Sequence, residues 1–199
     1  MTAFPVMEYF YSIQGEGVYT GQSAFFIRLG GCDVGCVWCD VKDSWDADKH
    51  PLKSIDFLLA EALKYPSRIL ILTGGEPAMY DLTEITKAFK DQGFQVHIET
   101  SGAYELKGHF DWVTFSPKKF KAPIASAAAL ANELKIVVFN KSDIVWAEAH
   151  QKMVPNTCKL YLQPEWDKRA VTEKLIFDYV LQNPKWYISL QTHKYLNIP

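Results

Sequence analysis

Ala24-Phe25-Phe26-Ile27-Arg28-Leu29-Gly30-Gly31-Cys32-Asp33-Val34-Gly35-Cys36-Val37-Trp38-Cys39-Asp40 begins as an apolar run and ends as a cysteine-rich loop. The run from Ala24 to Leu29 reads as a buried strand that stops at Gly30-Gly31. Three cysteines then follow with the spacing C-x3-C-x2-C. A regular strand would point alternate side chains apart, so three thiols this close need a loop. Gly35 lets that loop curl until the sulfurs converge. A soft thiolate set selects an iron–sulfur cluster or zinc. A structural zinc site and a fully ligated cubane each take four protein ligands. The loop supplies three, which leaves one iron of a [4Fe–4S] cluster open, unless Cys158 supplies a fourth.

Working outward, apolar runs alternate with amphipathic stretches. Strands are expected at Arg68 to Leu72, Gln95 to Glu99, Trp112 to Ser116, Glu133 to Phe139, Lys159 to Gln163 and Trp186 to Leu190. Helices are expected at Ser54 to Leu63, Leu82 to Asp91, Ser126 to Ala131, Ser142 to Val154 and Val171 to Leu181, with Asp46 to Pro51 as loop. Such alternation builds a parallel sheet with helices outside. About six units do not close an eight-fold barrel. The expected fold is therefore α/β, a partial (open) β/α barrel of about six parallel strands with a cluster-binding loop after the first. It occupies residues 1–199 as one domain. In such folds the loops at the strand C-termini build the site, and polar residues fall there repeatedly: Thr73 to Pro77, Glu99 to Gly102, Ser116 to Lys119, Gln163 to Glu165, Gln191 to Lys194.

The 199 residues are 48% hydrophobic and 22% charged with a net charge of −2, which suits a globular domain with a sizeable core. No Lys/Arg run marks a nucleic-acid face. The first residues lack the pattern of a secretory signal, and no apolar run approaches the ~18–20 residues that span a bilayer. Four cysteines, three of them clustered, do not make a disulfide framework, so a cytoplasmic setting is expected.

The cysteine spacing resembles the signature of the radical S-adenosylmethionine (SAM) superfamily. Phe10-Tyr11-Ser12-Ile13-Gln14-Gly15-Glu16-Gly17, Arg28, Trp38-Cys39-Asp40, Thr73-Gly74-Gly75-Glu76-Pro77 and Ile98-Glu99-Thr100-Ser101-Gly102 narrow the resemblance. Ser116-Pro117-Lys118, Leu162-Gln163-Pro164 and Gln191-Thr192-His193-Lys194-Tyr195-Leu196-Asn197-Ile198 extend it. Together, in this order, they resemble the 7-carboxy-7-deazaguanine synthase family along the whole chain.

The resemblance implies a [4Fe–4S] cluster on Cys32, Cys36 and Cys39, its open iron chelated by SAM. It implies SAM contacts from Trp38, Cys39, Asp40, Gly74, Gly75, Glu76, Glu99, Ser116, Pro117, Lys118 and Gln163. The implied substrate is 6-carboxy-5,6,7,8-tetrahydropterin. It loses the hydrogen at C6, contracts its ring and releases ammonia to give 7-carboxy-7-deazaguanine, on the route to queuosine. Arg28 suits the substrate carboxylate because its fork matches two oxygens. Ile13, Gln14, Gly15, Glu16 and Gly17 are candidates for the pterin N–H edge, with Thr73, His193 and the terminal carboxylate of Pro199 completing the substrate set. A homodimer and a flavodoxin- or ferredoxin-type electron donor are also implied.

One position departs from the family. Where its members carry Thr or Ser to ligate Mg2+, this chain has Val41. Valine offers no oxygen to a hard cation. Asp40, Ser44 or water is left to fill the place, and an altered Mg2+ site is expected. Two other readings compete: another radical SAM activity, such as a glycyl-radical activase, and a non-enzymatic domain with zinc on Cys32, Cys36, Cys39 and Cys158. Cys158 is otherwise read as a free buried cysteine.

Overall fold

The computed structural model describes residues 2–199. The elements in chain order are β1 (Ala3–Ile13), β2 (Ser23–Leu29), β3 (Leu52–Ser54), α1 (Ile55–Ala62), β4 (Ile69–Gly74), α2 (Thr83–Asp91), β5 (Gln95–Thr100) and β6 (Trp112–Phe115). They continue with α3 (Ala125–Ala129), β7 (Glu133–Val138), α4 (Ser142–Gln151), β8 (Lys159–Pro164), α5 (Arg169–Gln182), β9 (Trp186–Ile188) and α6 (Thr192–Leu196). The strands form one open sheet in the order β3-β1-β2-β4-β5-β6-β7-β8-β9. From β2 across to β9 all pairings are parallel. β1 is antiparallel to both β2 and β3.

Local signals place α1 and α2 where the sequence leads one to expect them. Ser54 caps α1 by accepting a hydrogen bond from the Phe57 N–H at 3.2 Å. Gly93, at φ 78°, takes the left-handed turn after α2 that a side chain would resist.

β1, β3 and α6 are not foreseen, and the longest of them is β1. Its pairing with β2 slips between Val6 and Glu8, so the phase of its alternation flips. Phe4 and Val6 enter the core before the slip, and Tyr9 and Tyr11 pack against it afterwards. A bulge of this kind hides a period-two pattern. Pro5 weakens the strand signal further, and it is tolerated near this margin of the sheet.

The sheet has two unlike faces. On the helix-covered face, Phe25, Ile27, Leu29, Leu70, Leu72, Val96 and Ile98 pack against Leu58, Ile85 and Phe89 of α1 and α2. Leu134, Ile136, Val138, Leu160 and Leu162 pack against Ile144, Ala147 and Ile176 of α4 and α5. The other face carries a small apolar cluster of Ala24, Phe26 and Ile71 beside Phe10, and then turns polar toward β7. The segment after β1 crosses this face. Val18 N–H donates to Glu133 at 3.0 Å, and Thr192 N–H donates to the Gly15 carbonyl at 2.9 Å. β1 and β7 are separated by four strands in the sheet order, so the sheet must curl for these contacts to form. The curl makes the open face concave.

No helix among the described residues is long and apolar enough to cross a membrane.

Candidate active site

Sheet register sets the first geometry. Arg28 on β2 pairs with Thr73 on β4, and Leu29 with Gly74. The loops after these two strands therefore leave side by side. They are stitched together by Gly75 N–H to Leu29 O and Glu76 N–H to Gly31 O, both at 2.9 Å. A Cβ on Gly75 would overlap the Gly31 carbonyl, so glycine is required for this approach. Gly31 and Gly35 hold positive φ, 98° and 75°, in the cysteine loop.

Glu76 is wholly buried and saturated. Its carboxylate accepts from Thr100 Oγ1 at 2.6 Å, from the Ser101 N–H at 2.8 Å and from Ser101 Oγ, and also from the Ala78 N–H at 3.0 Å. Its side chain thus fixes the loop after β4 to the loop after β5. That leaves the loop backbone, rather than the Glu76 side chain, to face a ligand.

A cavity of about 540 Å³ opens beyond these loops. Its wall includes all three loop cysteines, together with Ile13, Gln14, Gly15, Glu16, Arg28, Thr73, His193 and Pro199. Trp38, Asp40, Gly74, Gly75, Glu76, Glu99, Ser116, Lys118 and Gln163 line it as well. Three of the expected residues stand off it. Gly17 turns at φ 64° and donates its N–H to Ser189 Oγ at 3.0 Å, so it shapes the strand crossing. Pro117 is not on the wall. Ser44 is buried, and its hydroxyl donates to the Val41 carbonyl at 2.6 Å.

The cysteines fit an iron–sulfur cluster. Cys36 is buried and Cys32 and Cys39 are half-buried, all unpaired. Burial pushes the Cys36 thiol up to about 11, so the metal itself must favour the thiolate. Among the described residues, no three His, Cys, Asp or Glu side chains converge where a single ion would sit. A zinc ion needs that convergence at about 2.3 Å per sulfur. A cubane gives each cysteine its own iron and suits more widely spaced thiols. Cys158 lies before β8, at the far end of the strands from the loop. It packs with Leu134, Ala147 and Leu160, and burial pushes its thiol up to about 12. It is a free buried cysteine.

The magnesium position does not fit. The Val41 side chain brings no oxygen to the wall, and the Ser44 hydroxyl is turned to the Val41 carbonyl. Asp40 is held by Lys194 at 2.7 Å.

Arg28 is poised for an anion. Its Nε comes within 2.8 Å of Glu8 Oε1 but without hydrogen-bond alignment, and it remains a buried donor without a partner. Its guanidinium lies 5.6 Å from the Phe10 ring centre.

The floor of the cavity is charged. Lys135 on β7, fully buried, pairs with Glu16 and stands 3.6 Å from Glu99. Burial raises the Glu16 carboxyl, but the charge and hydrogen bond of Lys135 outweigh it and bring it down to about 2. Glu133, one pleat below, is pushed up by burial to about 7 against the opposing pull of Lys135. Burial lowers the Lys118 ammonium below its ordinary value. Its Nζ donates to the Ser116 carbonyl at 2.6 Å. Gln191 and Lys194, expected at a strand end without an assigned role, line the cavity, and so does Lys135, which was absent from the sequence-based expectation. A signal existed for Lys135: Glu133-Leu134-Lys135-Ile136 alternates charge with aliphatic, the mark of a strand with one polar face.

A model of the radical SAM superfamily matches residues 26–122. The chain is 52% identical over 195 residues to 7-carboxy-7-deazaguanine synthase of Flavobacterium psychrophilum, covering 98% of this chain and 92% of that relative. It is 47% identical over 196 residues to the enzyme of that name from Synechocystis sp., covering 98% and 94%. The crystal structure of QueE from Escherichia coli aligns with a TM-score of 0.85 at 32% identity, over 94% of this chain and 93% of that one. Full-length similarity of this kind, with the cysteine loop and the cavity built at the strand ends, establishes that the chain belongs to the 7-carboxy-7-deazaguanine synthase family of radical SAM enzymes.

Proposed function

We propose that this chain converts 6-carboxy-5,6,7,8-tetrahydropterin to 7-carboxy-7-deazaguanine with release of ammonia, in queuosine biosynthesis. The observation that carries the reading is the shared cavity. Three cysteines without a fourth open onto the same space as Arg28, Thr73, Glu16 and the terminal Pro199. Cys32, Cys36 and Cys39 would hold the [4Fe–4S] cluster. The backbone at Gly74-Gly75, with Trp38, Asp40, Glu99, Ser116, Lys118 and Gln163, would hold SAM. When bound, the reduced cluster and SAM supply the one-electron chemistry that removes a hydrogen atom from substrate C6.

The chain's own part is binding, orientation and exclusion of water. Arg28 offers the guanidinium nitrogens that Glu8 does not engage to the substrate carboxylate. Glu16, ionised, accepts from the pterin N–H edge, and Thr73 donates from the neighbouring strand. Phe10, Phe26 and Trp38 line the wall as apolar surface. His193, whose ring packs against Gly15, and Pro199, whose carbonyl accepts from Ser12 Oγ at 3.1 Å, close the cavity from the C-terminal side. No step here runs through Mg2+, because Val41, Ser44 and Asp40 do not make a site for it. A homodimer, a flavodoxin- or ferredoxin-type donor and a cytoplasmic setting belong to the same reading, on family resemblance.

The test is turnover. Anaerobically reconstituted, reduced enzyme with SAM and the tetrahydropterin is expected to yield the deazaguanine by absorbance and mass. SAM cleavage without product would overturn the assignment.

A further inference from the structure

Four residues on the cavity wall close a ring. Gln14 Nε2 donates to Glu99 Oε1 at 2.9 Å. The Glu16 N–H donates to Gln14 Oε1 at 3.1 Å. Lys135 pairs with Glu16 Oε2 and lies 3.6 Å from Glu99 Oε2. Outside the ring, Gln191 Nε2 holds the other Glu16 oxygen at 2.9 Å. The ring joins the segment after β1 to β5 and β7.

Lys135 is the costly member. Its side chain is 5% exposed, and a buried ammonium is tolerated only when paired. The same strand turns Leu134 and Ile136 into an apolar core. An apolar set replacing Lys135 together with its carboxylate partners would need no desolvation of charge, so stability alone gives no reason for the charged set. Its two partners are the carboxylates assigned above to different ligands, Glu16 to the pterin and Glu99 to SAM.

We propose that Lys135 is a positioning residue that holds the Glu16 carboxylate ionised and aimed as the acceptor for the pterin N–H edge, and ties it to the cofactor side through Glu99. The inference rests on the reading of Glu16 given under the proposed function.

The charged groups facing Glu16 are Lys135 and Glu133 from β7, Glu99 from β5, His193 from α6 and Lys118 after β6. Among the described residues, Lys135 is the cation in contact with it. Without that ammonium, burial and the neighbouring carboxylates Glu99 and Glu133 would favour the protonated acid. A protonated Glu16 presents an O–H where the substrate needs an acceptor.

The experiment measures pterin binding to the SAM-loaded holoenzyme by anaerobic calorimetry, from roughly pH 5.5 to 8.5, beside steady-state kinetics. Wild type is expected to bind with a flat pH profile. Lys135→Met is expected to bind about tenfold or more weakly, and more weakly still as pH falls, with KM moving much more than kcat. Lys135→Arg keeps the charge and should keep the flat profile. Lys135→Met with wild-type affinity and a flat profile would overturn the proposal. If Lys135→Met does not fold, the double variant Lys135→Met/Glu16→Gln decides, because it removes both charges together. It is expected to bind as Glu16→Gln does. Binding about tenfold weaker than Glu16→Gln alone would show that Lys135 acts elsewhere and sink the idea. A wild-type enzyme that binds no pterin would instead overturn the functional reading, so the two failures are distinct.

Discussion

On β7, Leu134, Ile136 and Val138 enter an apolar core while Glu133 and Lys135 point the opposite way. β5 repeats the division: Val96 and Ile98 are core, His97 and Glu99 are not. The helix-covered face is held by burial, at about 1.5–3 kcal/mol per large aliphatic side chain. The concave face gives up that gain at its centre for groups that are costly to dehydrate. His97 shows the cost. Burial drops its pKa to about 4, and its Nε2 is a buried polar atom without a partner. A sheet designed for stability alone would be apolar on both faces. The concave face is therefore where function has displaced stability, and substitutions on the two faces should separate these two properties.

The largest effect belongs to the cluster loop. Cys39→Ala is expected to abolish turnover and the broad visible absorbance of the reconstituted protein, while far-UV circular dichroism stays native. Next comes the covered face. Leu134→Ala or Leu72→Ala, both at 0% exposure, should cost about 2–5 kcal/mol in chemical denaturation yet leave iron loading intact. Equal losses of cluster and stability in these variants would erase the distinction between faces.

A charged residue on the concave side sharpens it. The Glu133 pKa rises from 4.5 to about 7 on folding. A raised folded pKa means its contribution is full below the unfolded value and is lost as pH climbs through the folded one. Glu133→Gln should therefore gain stability relative to wild type between those limits, by up to about 3 kcal/mol, and level off above. Denaturation across that range, with parallel curves for the two proteins, would refute the assignment of burial as the cause.

Smaller in stability but not in function, Arg28→Ala should lose about 1.5–3 kcal/mol of substrate binding and hold its cluster. Unchanged affinity would remove Arg28 from the site. The smallest effect is expected at Cys158→Ala, with iron content unchanged and stability lowered by about 1 kcal/mol or less.

Much of this was legible in the sequence. C-x3-C-x2-C and the polar residues stationed after apolar runs located the site, because strand C-termini in a parallel sheet share one edge. Ser54 and Gly93 bounded their helices through local chemistry. What stayed hidden depends on distant partners. The bulge between Val6 and Glu8 concealed β1. Gly17 belongs to a family motif yet serves the strand crossing. Ser44 carries a suitable hydroxyl, but a local turn consumes it. For Lys135 the alternation of Glu133 to Ile136 gives a polar face but not its partners. Its meaning appears only when the curl of the sheet brings Glu16 and Glu99 to it.

The central claim is that the concave face presents substrate C6 to the cofactor bound at the cysteine loop. Turnover with tetrahydropterin deuterated at C6 tests it most directly. The account predicts deuterium in the SAM recovered from the reaction. Product formed while the recovered SAM stays unlabelled would contradict it.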